Sequence, residues 1–568
     1  MKYKFALLIC CIFCLLGKTN AQTYAEKYNL DFKIRNNYFG GWFQDVNNSK
    51  LKLSHDSTYF RFSQTELWGF REKMRLETHS YQSILLPDRV NRTANINIVY
   101  KYKNLKDVKL FIYLLDKQEK ITHLDSLVMI PTDTMFHVLK KLKLDNTRFL
   151  SFRLMAYGKD STYTNIVAPV TQTIPQELCV KELQITIDDK LLNTAPFVDI
   201  TPLHINSDSC IRLAFDSLCL YDKIPVLSSK KIIALGENTH GSPKIDRSVY
   251  EVIKYQIINN QCRLVLLESP LLRTLFFNRY VQGDDAISTE KLAELIKGDT
   301  GEVDSMIELV KWMRKYNKTA REKIKLLGMD IMFESNEFAR YANDYFETIN
   351  KKAHSDILDS MIRLWNNPVI FEPRDRAKLI MDILAKEQDS LISIFGKEEL
   401  EIFNFYLKGM LEFDFKLKNS YFLRDRNMFK AASFLIDSMP SSDSSVVIYG
   451  HWGHLNYTLN TLPIYRSTGS YMKERYNESY SCIGLSVYQD DIRVYNRKNK
   501  LTYNKLQLPP PNSLEHILNN VGYEYTYMST SSLKDCSRFR IIGAIYENQQ
   551  FETIISPGIQ MDGILFIK

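Results

Sequence analysis

The stretch KIIALGENTHGSPKIDRSVYEVIKYQIINNQCRLVLL, residues 231–267, decides the fold. Lys231–Leu235 (KIIAL) is a short apolar run that predicts a strand. Ser242–Asn260 then sets Val249, Ile253 and Ile257 on one helical face, and Arg263–Leu267 (RLVLL) predicts a second strand. Strand, helix and strand at this length make a βαβ unit. Such a unit implies a parallel sheet with its ligand cleft at the carboxyl ends of the strands. Working outward, strands are expected at Ile324–Leu327, Val446–Tyr449, Cys482–Val487 and Gly563–Lys568. Helices are expected over Glu302–Tyr316, Glu337–Lys351, Asp375–Phe395, Phe422–Met439 and near Leu514.

The carboxyl ends of these strands are where polar residues gather. The first runs into Gly236-Glu237-Asn238-Thr239-His240-Gly241, the second into Glu268, the third into Gly328-Met329-Asp330 and the fourth into Gly450-His451-Trp452-Gly453-His454. Singly, each reads as a turn residue or a helix cap. Together they predict a site, because burying several ionisable groups without purpose is costly. Glu237 and Glu268 beside His240 would make a neutral imidazole basic enough for general-base work near neutral pH. His451 and His454 with a carboxylate also admit a metal reading, a metal-dependent hydrolase with His240 as a further ligand. The glycines at 450 and 453 imply loop geometry, in which the two rings need not converge. The chain has no G-x-S-x-G elbow and no G-x-x-x-x-G-K-[ST] loop, which sets aside serine α/β-hydrolases and phosphate-loop enzymes.

GENTHGS (236–242), the strand ending at Glu268, NRYVQGD (278–284), GMD (328–330), RDRNM (424–428), GHWGH (450–454) and MDGILFI (561–567) resemble, in order, the motifs of the erythromycin-esterase family. The resemblance covers about residues 228–568. It implies an α/β domain with a large helical insertion and an ester-cleaving site that uses no cofactor and no metal. Carried over, His240 is the general base that activates water. Glu237 and Glu268 orient and polarise it, and His451, with Arg424 or His454, supports the developing oxyanion. Asp330 and Arg247 join the substrate-binding set. Lys244 and Val249 stand where the family usually has an acidic and a basic residue, and Trp452 and Ala431 where asparagines are expected. These changes alter the cleft wall rather than the base. They point away from macrolides and toward another small-molecule or glycan-linked ester.

Residues 22–200 carry alternating or β-branched runs (Ile96–Tyr102, Val108–Leu114, Leu183–Ile187) between polar turns, which predict a β-sandwich. Tyr38, Phe39, Trp42, Phe43, Phe60, Phe62, Trp68 and Phe70 are expected to fill its core. A sugar- or peptide-binding groove is the other reading of those aromatics, and with a decayed cleft it would make the chain a non-catalytic glycan-binding envelope protein. Residues 1–21 join a basic start to an apolar run of 12 residues, Phe5–Leu16, and a small residue at Ala21. This is the pattern of a cleaved export signal, too short to span the ~30 Å hydrocarbon layer. It implies a periplasmic or extracellular protein, starting at Gln22, with no stable membrane insertion. Removing Lys2, Lys4 and Lys18 reduces the net charge from +8 to +5. The basic residues are interleaved with acidic ones, so nucleic acid is not an expected partner. Six cysteines remain (Cys179, Cys210, Cys219, Cys262, Cys482, Cys536), and the export route admits one or two bridges, with Cys210 and Cys219 nearest in sequence.

Overall fold

The computed structural model describes residues 22–33, 42–45, 51–55, 60–64, 77–87, 92–117, 120–158, 177–215, 217–301, 303–331, 338–370, 373–412, 421–438, 444–457, 466–496, 498, 500–546 and 552–568. The export-signal segment 1–21 lies outside these residues, as do Tyr38, Phe39, Trp68 and Phe70. The chain divides into two compact units, one on Met1–Ile200 and the other on Thr201–Phe415, Tyr421–Leu459 and Ile464–Lys568.

The first unit is the expected two-sheet β domain. One antiparallel sheet runs in the order Phe43–Asp45, Glu77–Leu85, Phe149–Gly158, Leu105–Leu115, Ile121–Met129. The other runs Leu51–His55, Phe60–Gln64, Glu177–Ile187, Arg92–Lys103, Thr132–Leu144. Period-2 burial along Arg92–Lys103 puts Ala94, Ile96, Ile98, Tyr100 and Tyr102 inside, as alternation in a half-buried strand requires. Trp42 belongs to the core, buried with its ring 5.3 Å from that of Phe32.

The second unit is built on an eight-stranded sheet. Its strands, in chain order, are β1 (Cys210–Arg212), β2 (Ile232–Glu237), β3 (Cys262–Pro270), β4 (Lys325–Asp330), β5 (Ser445–His451), β6 (Tyr480–Val487), β7 (Tyr525–Ser529) and β8 (Gly563–Ile567). The spatial order is β1-β7-β8-β6-β2-β5-β3-β4. The six strands from β8 to β4 are parallel, and β7 pairs antiparallel with both β8 and β1. The sheet is therefore mixed at one edge and parallel where β2, β5, β3 and β4 lie side by side. All six residues of β2 and all seven of β5 are buried, because both faces of a parallel sheet are covered.

Helix α1 (Pro243–Asn259) follows β2. The Ser242 hydroxyl accepts the Ile245 N–H and Pro243 fills the first position, which together start the helix. Helix α2 (Leu271–Gln282) follows β3. The chain between β4 and β5 is largely helical, ending in α3 (Tyr421–Asp437). The helix expected over 375–395 is two, Pro373–Lys386 and Gln388–Phe395, broken at Glu387. Ile380, Leu384, Leu391 and Phe395 keep a 4-7-4 buried spacing through the break, so the apolar pattern shows no interruption. The six cysteines among the described residues are all free thiols, four of them buried, and no bridge joins Cys210 to Cys219. No helix among the described residues is long and apolar enough to cross a membrane.

Candidate active site

Register explains why four strand ends become one site. Glu237 pairs with His451 across β2 and β5, and Leu235 and Leu267 both lie level with Tyr449. Glu237 is two residues beyond Leu235, hence on the same face as Tyr449 and diagonal to it. The Tyr449 hydroxyl lies 2.6 Å from Glu237 Oε2 and 2.8 Å from Asp246 Oδ1 on α1. The other oxygen of Glu237 lies 2.5 Å from His240 Nδ1. An ionised carboxylate only accepts, so the His240 proton sits on Nδ1 and Nε2 carries the lone pair. Burial opposes protonation of His240, but the charge and hydrogen bond of Glu237, helped by Glu268, outweigh it and raise the imidazole above its ordinary 6.5.

The His451 ring centroid is 4.9 Å from that of His240. The Gly453 N–H donates to His451 Nδ1, which places the proton of a neutral ring on Nε2. Burial, followed by the charge of His240, pushes His451 well below 6.5 and keeps it neutral. Its Nε2 is buried and has no hydrogen-bond partner among the described residues. An orphaned buried donor costs about 1–3 kcal/mol.

Glu268 is held differently from the expectation that it orients His240 directly. One oxygen accepts the His451 backbone N–H at 2.6 Å and the other accepts Arg424 at 2.7 Å. It acts on His240 through charge alone. Burial disfavours its ionised form, yet His454, Arg424, His240 and His451 more than offset this and hold the carboxyl well below the usual range. Gly450 permits the approach: a Cβ there would stand 2.7 Å from the Glu268 Cβ and 2.9 Å from Oε2.

Arg424, Asp330 and His454 form an internal lattice around Glu268 rather than a wall of the cavity. Arg424 donates from Nε and one terminal nitrogen to Asp330, from that same nitrogen to Glu268, and from the other to His454 Nε2 at 2.8 Å. Four of a guanidinium's five N–H groups are thereby used. Because Arg424 can only donate, His454 accepts at Nε2 and presents its Nδ1 proton to Asp425, 3.0 Å away. Asp425 is fully buried and also accepts from Thr468. Arg247 stands elsewhere, its guanidinium 4.6 Å over the ring of Phe215, which stacks on Tyr525. Lys244 is tied by its ammonium to the carbonyls of Gln489 and Lys568, and Val249, Trp452 and Ala431 are core residues.

A cavity of about 290 Å³ opens beside these groups, lined among others by Glu237, His240, Glu268, Asp246, Tyr449 and Arg273. His451, Arg424, His454, Asp330 and Arg247 are not among its lining residues. Sequence reasoning missed Tyr449, Asp246, Asp425 and Arg273. Tyr449 precedes the GHWGH motif by one residue and reads as strand interior, and Asp246 reads as an ordinary first-turn helix acid. Among the described residues no cluster of three or more His, Cys, Asp or Glu side chains is arranged to hold a metal ion.

A family model described as Erythromycin esterase matches residues 257–568. That segment contains Glu268, Asp330, Arg424, His451 and His454, while Glu237 and His240 lie just before it. Erythromycin esterase type II of Escherichia coli is 20% identical over 348 residues, which is 53% of this chain and 81% of that protein. A Bacillus cereus protein of known structure is 21% identical, with a TM-score of 0.50 over 64% of this chain and 98% of its own, a likeness of fold alone. The erythromycin esterase EreC in its open conformation is 12% identical, with a TM-score of 0.45 over 62% of this chain and 94% of its own. With its motifs in order, its strand-end carboxylates and histidines brought together and more than half its length matched by the family model, the chain belongs to the erythromycin esterase family.

Proposed function

We propose that this chain is an exported hydrolase that cleaves a small ester or lactone with water activated by His240, without a metal. The observation that carries the reading is the Glu237–His240 pair, 2.5 Å apart, which leaves Nε2 of the imidazole as a base beside a cavity. Nε2 takes a proton from water as the water oxygen adds to the ester carbonyl carbon. The donor for the tetrahedral oxyanion in this reading is the Nε2–H of His451, unpaired among the described residues on a ring 4.9 Å from that of His240. Because His451 does not line the cavity, the substrate must open the site to reach it. The intermediate then expels the alcohol oxygen, which takes the proton back from His240, leaving a carboxylic acid that ionises. General-base assistance of this kind contributes about 10²–10⁴-fold.

Two features support a substrate smaller than a macrocyclic antibiotic. The cavity of about 290 Å³ is at the bottom of the ~300–1,000 Å³ typical of ligand pockets. The residues at 244 and 249, which lie outside the cavity lining, also lack the charges that the family pattern carries there. An acyl ester on a glycan or envelope metabolite fits both, and export rests on the pattern of residues 1–21. The metal-free reading is supported by the commitments of the histidines: both ring nitrogens of His454 and Nδ1 of His451 already have protein partners.

The test is a panel of acyl esters and lactones presented to the protein without its first 21 residues, with and without chelator. Turnover unaffected by chelator is expected. Activity that disappears with chelator and returns with zinc or manganese would reverse the metal assignment, and no turnover on any ester or lactone would remove the hydrolase reading.

A further inference from the structure

The hydroxyl of Tyr449 touches two carboxyl groups at once, and it has one proton to give. Glu237 Oε2 is 2.6 Å away and Asp246 Oδ1 is 2.8 Å away. If both carboxyls were ionised, both contacts would need a donated hydrogen and only one would have it. Two oxygens at 2.8 Å, each presenting lone pairs, repel. The count closes if one carboxyl is protonated and donates to the phenol oxygen while the phenol donates to the other.

The partners of Glu237 decide which. Its second oxygen accepts the His240 N–H at 2.5 Å, so this carboxyl is the charged acceptor that the imidazole requires. Asp246 is 2% exposed, and burial penalises its ionised form, as does a carboxylate on the far side of the same hydroxyl. The positive end of α1 favours the ionised form, but Asp246 lies four residues past the cap, where that effect is fading. Burial, then Asp246 and Glu237, raise Tyr449 well above 10, so the phenol keeps its own proton.

We propose that Asp246 is held as a neutral carboxylic acid and that Asp246 and Tyr449 are positioning residues, forming a directed chain Asp246 O–H to Tyr449 O–H to Glu237 carboxylate to His240 N–H. Neither residue touches the substrate in this role. The chain fixes the carboxylate plane of Glu237, and through it the ring of His240, so that Nε2 faces the cavity. The proposal rests on the hydrolase reading for its consequence but not for its test.

The direct test is isotope-edited infrared difference spectroscopy of the whole protein at neutral pH, comparing wild type with Asp246→Asn. A carbonyl stretch of a protonated carboxylic acid that shifts with labelled aspartate and vanishes in Asp246→Asn is the expected result. Its absence from the wild type, measured on folded protein, would overturn the proposal whether or not any substrate is known. Once an ester substrate is in hand, Tyr449→Phe is expected to lower kcat by about tenfold or more, the size of one charge-assisted hydrogen bond. Asp246→Asn, whose amide can donate to the phenol as the neutral acid does, is expected to be about tenfold more active than Asp246→Ala on the same grounds. Equal activity of the asparagine and alanine variants would contradict the directed chain. An active protein without the infrared band removes the proposal and leaves the hydrolase; the band without activity keeps the chain and removes the hydrolase.

Discussion

Glu268→Gln changes one atom and breaks three relationships. In the wild type both carboxylate oxygens accept, one from the His451 backbone N–H and one from Arg424, and the side chain is only 7% exposed. A glutamine amide has one oxygen and one NH2. Whichever way it faces, an N–H is set against another N–H, either at His451 or at Arg424. Arg424 also loses one of its two carboxylate partners and keeps Asp330. Removing one member of a buried ion pair costs about 3–5 kcal/mol, and the surviving Asp330 puts this case near the lower end, about 3 kcal/mol. At about 2 °C per kcal/mol for a domain of this size, the melting temperature should fall by about 6 °C. The third effect is on the base. The Glu268 charge helps to raise His240, so without it burial pulls the imidazole down and the acid limb of kcat/KM moves to lower pH. Calorimetry and a pH–rate profile on the same preparation measure both. An unchanged melting temperature together with an unmoved acid limb would refute the electrostatic role given to Glu268.

Gly450→Ala should disturb the same carboxylate sterically, since the new methyl would meet the Glu268 Cβ at 2.7 Å; a loss of about 1–3 kcal/mol in stability and reduced turnover are expected by thermal melting and ester assay. His451 makes stability depend on pH. Its folded value lies well below the ordinary 6.5, so below pH 6.5 the unfolded chain binds a proton that the native site refuses, and stability falls as pH drops, by up to about 1.4 kcal/mol per unit. His240 has the opposite sign, its contribution being present below 6.5 and lost as pH rises through its raised value. The difference in melting temperature between wild type and His451→Gln should therefore shrink or reverse on going from pH 7 to pH 5; a constant difference would contradict the neutral assignment.

The parallel centre of the second unit's sheet is legible because β2, β3, β4 and β5 are largely buried apolar runs ending in glycine and charge, a contrast that survives without any alignment. Strand β1, which is part-exposed, and β7 are not marked in this way. His240, Glu237, Glu268 and His451 could be picked out for the same reason: ionisable side chains at the ends of buried strands are conspicuous. Their division of labour was not legible. Whether Glu268 faces His240 or the His451 backbone depends on a strand register and on the missing side chain at Gly450, neither of which appears in residue spacing. Arg424, Asp330 and His454 are substrate-side residues by the resemblance, because each lies within one of its motifs. In three dimensions most of their donors and acceptors are spent on one another and on Glu268 and Asp425. Tyr449 was hidden because an aromatic residue within a strand is normally core, and Asp246 because an acid in the first turn of a helix is ordinary. The break at Glu387 was hidden because the apolar rhythm continues across it.

The central claim is that the imidazole of His240 takes the proton from the attacking water. The most direct measurement is kcat/KM for the best ester of the panel in wild type and in His240→Ala, with circular dichroism and melting temperature recorded on both. A fall of about 10²–10⁴-fold or more with the fold retained is the expected result. Turnover within a few-fold of wild type in a folded His240→Ala protein would contradict it.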